Sequence, residues 1–191
     1  LESIAPEEVF EAVLAFHSVH RNDSLIAQQL PKLVKNFNEW ERMRRDSSKT
    51  LFWQVDNLDG MEVSVSGQVL NNGKPIGGMA AIRPSINSYM YGDAKAIAAI
   101  AALTGKSSIS SKFKDEALRL KKEVQDRLWN EELGFFTVLP RNYTDSTRPL
   151  NVREAIGYIP WYFNLPDDNA AYSNAWNKVM DTTGFYAPFG L

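Results

Sequence analysis

Trp53-Gln54-Val55-Asp56-Asn57-Leu58-Asp59-Gly60-Met61-Glu62-Val63-Ser64-Val65-Ser66-Gly67, answered by Arg83-Pro84-Ser85-Ile86-Asn87-Ser88-Tyr89-Met90-Tyr91-Gly92-Asp93, is the stretch on which the reading of this 191-residue chain turns. Three carboxylates at a spacing of three, followed by a Ser/Val/Gly run without helical periodicity, suit neither a core nor a plain surface loop. They point to an active-site segment. Thr50 to Val55 is short, β-branched and aromatic, as a brief strand is. Beyond it, Asn71-Asn72-Gly73-Lys74-Pro75 and Gly77-Gly78 punctuate a loop of about thirty residues, a length usual for functional or disordered segments. Its aromatic, carboxylate and apolar content argues against disorder.

Helices flank this stretch on both sides. Residues 6–20 place Val9, Val13, Phe16 and His20 at helical spacing, with Pro6 at the first helical position and Glu7-Glu8 favourable to the dipole. After a link capped by Asp23 or Ser24, Leu25 to Arg45 carries Leu30, Leu33, Val34, Phe37 and Trp40-Met43 on one side, with Pro31 a kink or restart. The two make an αα-hairpin. Pro84 to Leu103 is a strong Ala-rich helix stopped by Gly105 at the C′ position. Residues 108–130 form an amphipathic helix through Phe113, Ala117, Leu120, Val124 and Leu128. Gly134 to Leu139 reads as a strand and Pro140 to Pro149 as a polar loop. A short helix at 152–163 and a last one to about 181, capped by Asp167 or Asp168, complete an all-α pattern with no strict sequence period.

Composition narrows the function. With 44% hydrophobic and 23% charged residues the chain is ordinary globular material, and one domain over residues 1–191 is the default. A net charge of −2 offers no broad basic field for nucleic acid or anionic lipid. Without cysteine there is neither a disulfide framework nor a thiolate metal site, and the compartment stays unread. No apolar run approaches the roughly 18 residues of a membrane helix. An EF-hand register with Gly60 at its glycine would need ligands at Val55 and Ser66, so calcium by that route fails. His17 and His20, the only histidines, lack a third zinc ligand nearby and read as helix-surface residues. No metal or cofactor is expected.

Cleaving a glycosidic bond takes one carboxylic acid to protonate the leaving oxygen and a second carboxylate to activate water or attack carbon. Asp56, Asp59 and Glu62 are the tight acidic cluster set among aromatic and turn residues. Asp59-Gly60 is equally a common turn dipeptide and Asp56-Asn57 a common capping pair, so the residues alone leave both readings open. Trp53, Tyr89, Tyr91 and Trp161 offer flat apolar faces with polar tips, suited to sugar rings or to core packing. Asn87 and Tyr91 lie four apart near the start of the Ala-rich helix, on one face near its N-terminus. Arg83 could position a carboxylate. Arg153-Glu154 could reach the same cavity or form a surface ion pair.

Asp59 to Ser64, followed by Arg83 to Tyr91, resembles the six-hairpin (α/α)6-toroid glycosidases, nearest the mannosylglycerate-hydrolase-like glycoside hydrolases related to trehalase and the family 63 α-glucosidases. Leu128-Trp129-Asn130-Glu131-Glu132-Leu133-Gly134-Phe135-Phe136 and Arg153-Glu154-Ala155-Ile156-Gly157-Tyr158-Ile159-Pro160-Trp161 resemble the same family in the same order. The resemblance implies a fragment of about three hairpins, both ends cut, belonging with the remainder of a toroid. It implies hydrolysis of an oligosaccharide or small glycoside with inversion. In the related pattern the general acid is an Asp two residues after a Gly, in a Gly-hydrophobic-Asp-x-Ser context. Gly60-Met61-Glu62-Val63-Ser64 matches with Glu for Asp, making Glu62 the expected acid and Asp59 second. Substrate contacts are expected from Trp53, Asp56, Arg83, Asn87, Tyr89, Tyr91, Arg153, Glu154 and Trp161. The family's base comes from a late hairpin, so the chain alone is expected to be inactive. The alternative is a non-catalytic helical domain for carbohydrate binding or scaffolding.

Overall fold

The computed structural model describes residues 8–46, 49–61 and 63–189. In chain order come α1 (Glu8–His20), α2 (Asp23–Arg44), β1 (Trp53–Val55), α3 (Val65–Leu70), β2 (Ala80–Ile82), α4 (Pro84–Leu103) and α5 (Ser107–Leu128). Then follow β3 (Trp129–Asn130), β4 (Phe135–Phe136) and β5 (Leu139–Pro140), with α6 (Ile159–Tyr162) and α7 (Ala170–Ser173). The class is all-α with short strands. These residues divide into two compact units, one drawn from Leu1–Phe52 with Asn87–Lys122, the other from Trp53–Ile86 with Glu123–Leu191.

The first unit is built from helix stripes. Ile26, Leu30, Leu33, Phe37 and Trp40 of α2 are buried at the i, i+4, i+7 spacing expected of one face. Phe113, Ala117 and Leu120 of α5 are buried likewise. Phe37 makes edge contacts with Phe52 at 6.1 Å and Phe113 at 5.1 Å between ring centroids, so truncating it to alanine costs about 3–5 kcal/mol. Arg45 lies over the Phe52 ring at 4.4 Å and pairs with Glu41 and Glu116. Gly105 ends α4 with φ +70°, the left-handed C′ conformation expected of it.

Several local expectations change. Helix α2 runs unbroken through Pro31, so no restart occurs there. Its cap is Asn22, whose side chain accepts from the Leu25 amide at 2.9 Å, rather than Asp23 or Ser24. Asp23 is instead engaged by His17, which is 5% exposed, not a surface residue; the contact is 2.7 Å from Nε2 to Oδ1. In α1 the buried face carries Phe10 and His17, while the Phe16 and His20 rings meet at a tilt on the exposed side, centroids 4.2 Å apart.

The second unit centres on a three-stranded antiparallel sheet of order β1-β2-β5, with Trp53 opposite Ile82 and Ile82 opposite Leu139. β3 and β4 form a separate hairpin, Trp129 opposite Phe136, turned by Gly134 at φ +57°. Phe135 and Phe136 are buried in a cluster of rings that includes Tyr158, Trp161 and Tyr172. A 3-10 turn at Ala155–Tyr158 leads into α6, and Asn169 caps α7, which passes into a 3-10 turn at Asn174–Val179. The capping by Asp167 or Asp168, and one regular helix to 181, are therefore not what forms.

Candidate active site

The carboxylate segment lies in the second unit and is organised by Asp56. β1 delivers the chain into a 3-10 turn, Asp56–Asp59, closed by Gly60 in the left-handed region at φ +76°. Asp56 has no exposed surface. Its Oδ1 accepts the backbone amides of Asn57 at 3.0 Å, Gly78 at 2.6 Å and Met79 at 3.0 Å, and its Oδ2 accepts the Ser64 hydroxyl at 2.8 Å. Desolvation pushes the Asp56 carboxyl up, but the bonds from Ser64 and Gly78 and the Arg83 charge outweigh it and hold it below the usual range. So enclosed, Asp56 fixes the loop.

Ser64 continues the network. It caps α3 by accepting the Gly67 amide at 2.8 Å and also receives the Ser66 hydroxyl at 3.3 Å. A Cβ on Gly67 would stand 2.7 Å from both Asp56 Oδ2 and Ser64 Oγ, so only glycine fits against this network. Helix α3 was not expected in a loop.

Arg83 leaves β2 and is fully buried. Its guanidinium donates to the Ser66 hydroxyl at 3.3 Å and the Met79 carbonyl at 3.2 Å, and lies 3.8 Å from Asp56 Oδ2. Burial lowers its pKa, against the pull of Asp59, Glu154 and Asp56. Asp59 is half-buried and accepts the Ser85 hydroxyl at 2.5 Å. Desolvation raises its pKa, and the charges of Glu154 and Asp56 add to that rise, while Ser85 and Arg83 oppose it; the net direction is upward. Glu154 joins from the other side, Oε1 accepting the Ser66 amide at 3.0 Å. Its Oε2 is buried and has no hydrogen-bond partner among the described residues.

Asp56, Asp59, Arg83 and Glu154 are thus brought together. Glu62, the expected acid, lies outside the described residues. Trp53 is half-buried, with the Arg141 guanidinium 3.9 Å over its ring. Trp161 packs its ring against Phe136 and Trp176 within the aromatic cluster, and Arg153 reaches the Thr183 carbonyl at 3.5 Å. In the first unit Asn87 is fully buried, its side chain accepting the Phe52 amide at 2.8 Å and donating to the Phe52 carbonyl at 2.9 Å. That pair ties α4 to the Phe52 backbone. Tyr91 is also buried, with Lys95 5.1 Å over its ring, and Tyr89 is half-buried. Ser64, Ser66 and Ser85 are the participants sequence reasoning missed; the Ser-x-Ser run after the carboxylates was the available signal. Among the described residues no helix is long and apolar enough to cross a membrane.

The family model for the mannosylglycerate hydrolase MGH1-like glycoside hydrolase domain matches residues 4–191. No curated protein matches the chain. Among solved structures, a chain named "Sialidase" is similar at 40% identity and TM-score 0.82, over 95% of this chain and 16% of that one. A GH63 mannosylglycerate hydrolase from Thermus thermophilus, in complex with Tris, is similar at 14% identity and TM-score 0.67, over 91% of this chain and 53% of that one. A GH63 mannosylglycerate hydrolase from the same organism in complex with glucose gives 15% identity and TM-score 0.63, over 84% and 46%. The last two show the fold, part of an (α/α)6 toroid. The chain spans about a sixth of the first of these structures and about half of the others.

Proposed function

We propose, for a chain that belongs to the family of mannosylglycerate hydrolase MGH1-like glycoside hydrolase domains, that it forms part of a single catalytic domain hydrolysing the O-glycosidic bond of an oligosaccharide or small glycoside. One observation carries this reading. Asp59 is a half-buried carboxyl raised above its ordinary value by desolvation and by neighbouring negative charge, beside a buried arginine. A carboxyl whose protonated form is favoured by its surroundings suits the role of a general acid. Glu62, three residues on in sequence, keeps the place of the acid in the family frame, and Asp59 is the carboxyl that stands second to it. Arg83 balances the charge of this group, and Asp56 sets its geometry without touching substrate. The outward part of Trp53 would meet the sugar.

The second carboxylate of an inverting pair would stand about 6.5–9.5 Å from the acid with room for a water between. Glu154 is tied by Oε1 to the Ser66 amide in the same charge group as Asp59, which suits holding substrate better than activating water. The base is therefore assigned to the rest of the toroid, the partner of this chain, and the 191-residue piece alone should turn over no glycoside. In the full-length parent, Glu62→Gln should abolish turnover while sparing sugar binding, and Asp59→Asn should slow it by about 10²-fold or more, as loss of acid catalysis does. Undiminished turnover of aryl glycosides by both variants would remove the acid from this segment. Binding without turnover in the unmodified parent would leave a non-catalytic carbohydrate-binding domain.

A further inference from the structure

The run Leu128–Phe136 resembles the family yet has no task in the site around Asp59. Its ends fold as β3 and β4, and beside it opens a cleft of about 810 Å³, within the size of small-molecule sites. None of Asp56, Asp59, Arg83 or Glu154 lines it. Its frame is rigid. Asn130 donates to the Leu150 carbonyl at 3.2 Å and accepts the Leu133 amide at 3.0 Å, tying the hairpin to the far wall. Arg127 donates to the Asp145 carbonyl at 3.0 Å and to the Thr144 carbonyl, fixing that wall, and Gln125 donates to the Tyr172 hydroxyl at 3.2 Å. Trp129 packs nearly at right angles to Tyr172, ring centroids 4.7 Å apart, and is itself half-buried in the lining. Glu131 and Arg148 at the rim are exposed and have no hydrogen-bond or ion-pair partner among the described residues.

The charge of the lining selects the ligand. Carboxylates and guanidinium groups both face the cleft, so a phosphate or acidic sugar would meet the former and a cation the latter. A neutral polyhydroxyl compound satisfies both, giving hydrogen bonds to carboxylates and accepting them from guanidinium groups. An aromatic ring beside such groups supplies the flat apolar surface on which the C–H face of a pyranose rests. A preformed frame limits the ordering cost of binding. We infer that this cleft is a second saccharide-binding site, in which a neutral pyranose ring packs against Trp129 and bridges Glu131 and Arg148 through its hydroxyls. Such a site would hold a chain of sugars away from the bond being cut, and the inference rests on the glycosidase reading for its choice of sugar.

Glucose and maltotriose titrated into the isotopically labelled 191-residue chain should give saturable shifts of the Trp129 indole N–H and of the side-chain amide of Asn151, which also lines the cleft. The double variant Glu131→Gln, Arg148→Ala should weaken binding by about tenfold or more, equal to about 1.4 kcal/mol, with the remaining spectrum unchanged. Trp129→Ala is a poorer probe because its ring also packs on Phe136 at 4.9 Å. The inference is overturned if neither sugar moves the cleft signals at about ten times a millimolar Kd, or if the double variant binds as tightly as the unmodified chain. The same double variant in the full-length parent, read by calorimetry, decides the matter where the short chain aggregates. Cleft binding in an unmodified parent that turns over no glycoside would sink the glycosidase reading alone. Turnover without cleft binding would sink this inference alone.

Discussion

Replacing Asp56 by alanine removes in one step the acceptor of four hydrogen bonds and the counter-charge of a buried arginine. Bonds to a charged acceptor contribute about 1.5–3 kcal/mol each, but four on one carboxylate are not additive. The Asn57 amide is local and its residue exposed, and the Ser64 hydroxyl keeps its bonds with Ser66 and Gly67, so these two donors lose little. Gly78 is exposed as well, so the loss falls chiefly on the half-buried Met79 amide and on Arg83, and breaking one side of a buried charged group costs about 3–5 kcal/mol. Asp56→Asn keeps a carbonyl oxygen for the two amides and loses only the charge, at about 2 kcal/mol. With a urea slope of about 2 kcal/mol/M the midpoint should fall by about 2 M for alanine and about 1 M for asparagine, with the slope unchanged. Amide exchange at Gly78 and Met79 should accelerate with it. Because the Asp56 carboxyl is held below its ordinary 3.8, its stabilisation is complete above that pH and fades as pH falls through the lower folded value. Asp56→Asn and the parent chain should therefore converge in stability in acid. An alanine variant losing less than about 1 kcal/mol, or equal to the asparagine variant, would refute the assignment of Asp56 as the organiser of this loop.

Asp59 has the opposite sign. Its folded pKa lies above the ordinary 3.8, so the folded chain binds more protons than the unfolded one in that window and loses stability as pH rises through it. Asp59→Asn should raise the melting temperature at neutral pH and leave it unchanged below 3.8; a lowered value at neutral pH would contradict the burial argument. Asn87→Ala should cost about 2–4 kcal/mol by orphaning both backbone groups of buried Phe52, measured by urea unfolding, with an exposed substrate-facing asparagine predicting no loss at all.

Long helices were legible in the sequence because their stripes are long. Phe113, Ala117, Leu120, Val124 and Leu128 recur along α5 and are all buried, and Gly105 sits where a left-handed stop was expected. Short elements escaped for the converse reason. The helix at Val65–Leu70 contains a glycine chosen by the space beside Asp56, and its cap, Ser64, is recruited by a carboxylate eight residues away. In the site, residue type was a fair guide to which groups gather and a poor one to which face outward. Asp56 and Asp59 are alike as letters, yet one is saturated by backbone amides and the other accepts from a serine and is harder to ionise. Only the fold brings Gly78 and Met79 back to residue 56, and with them the distinction.

That return also sets where this protein can vary. Antiparallel pairing of β1 with β2 and the bonds from Gly78 and Met79 to Asp56 shut the chain between residues 56 and 79 into an arc whose feet are fixed. The crown of the arc, residues 72–77, is exposed. Lengthening such a crown costs only about 0.6 kcal/mol for each doubling of the loop. Insertions there leave Asp59 and Arg83 where they stand, so descendants of this sequence can trade one outer rim for another while inheriting the same buried charge group.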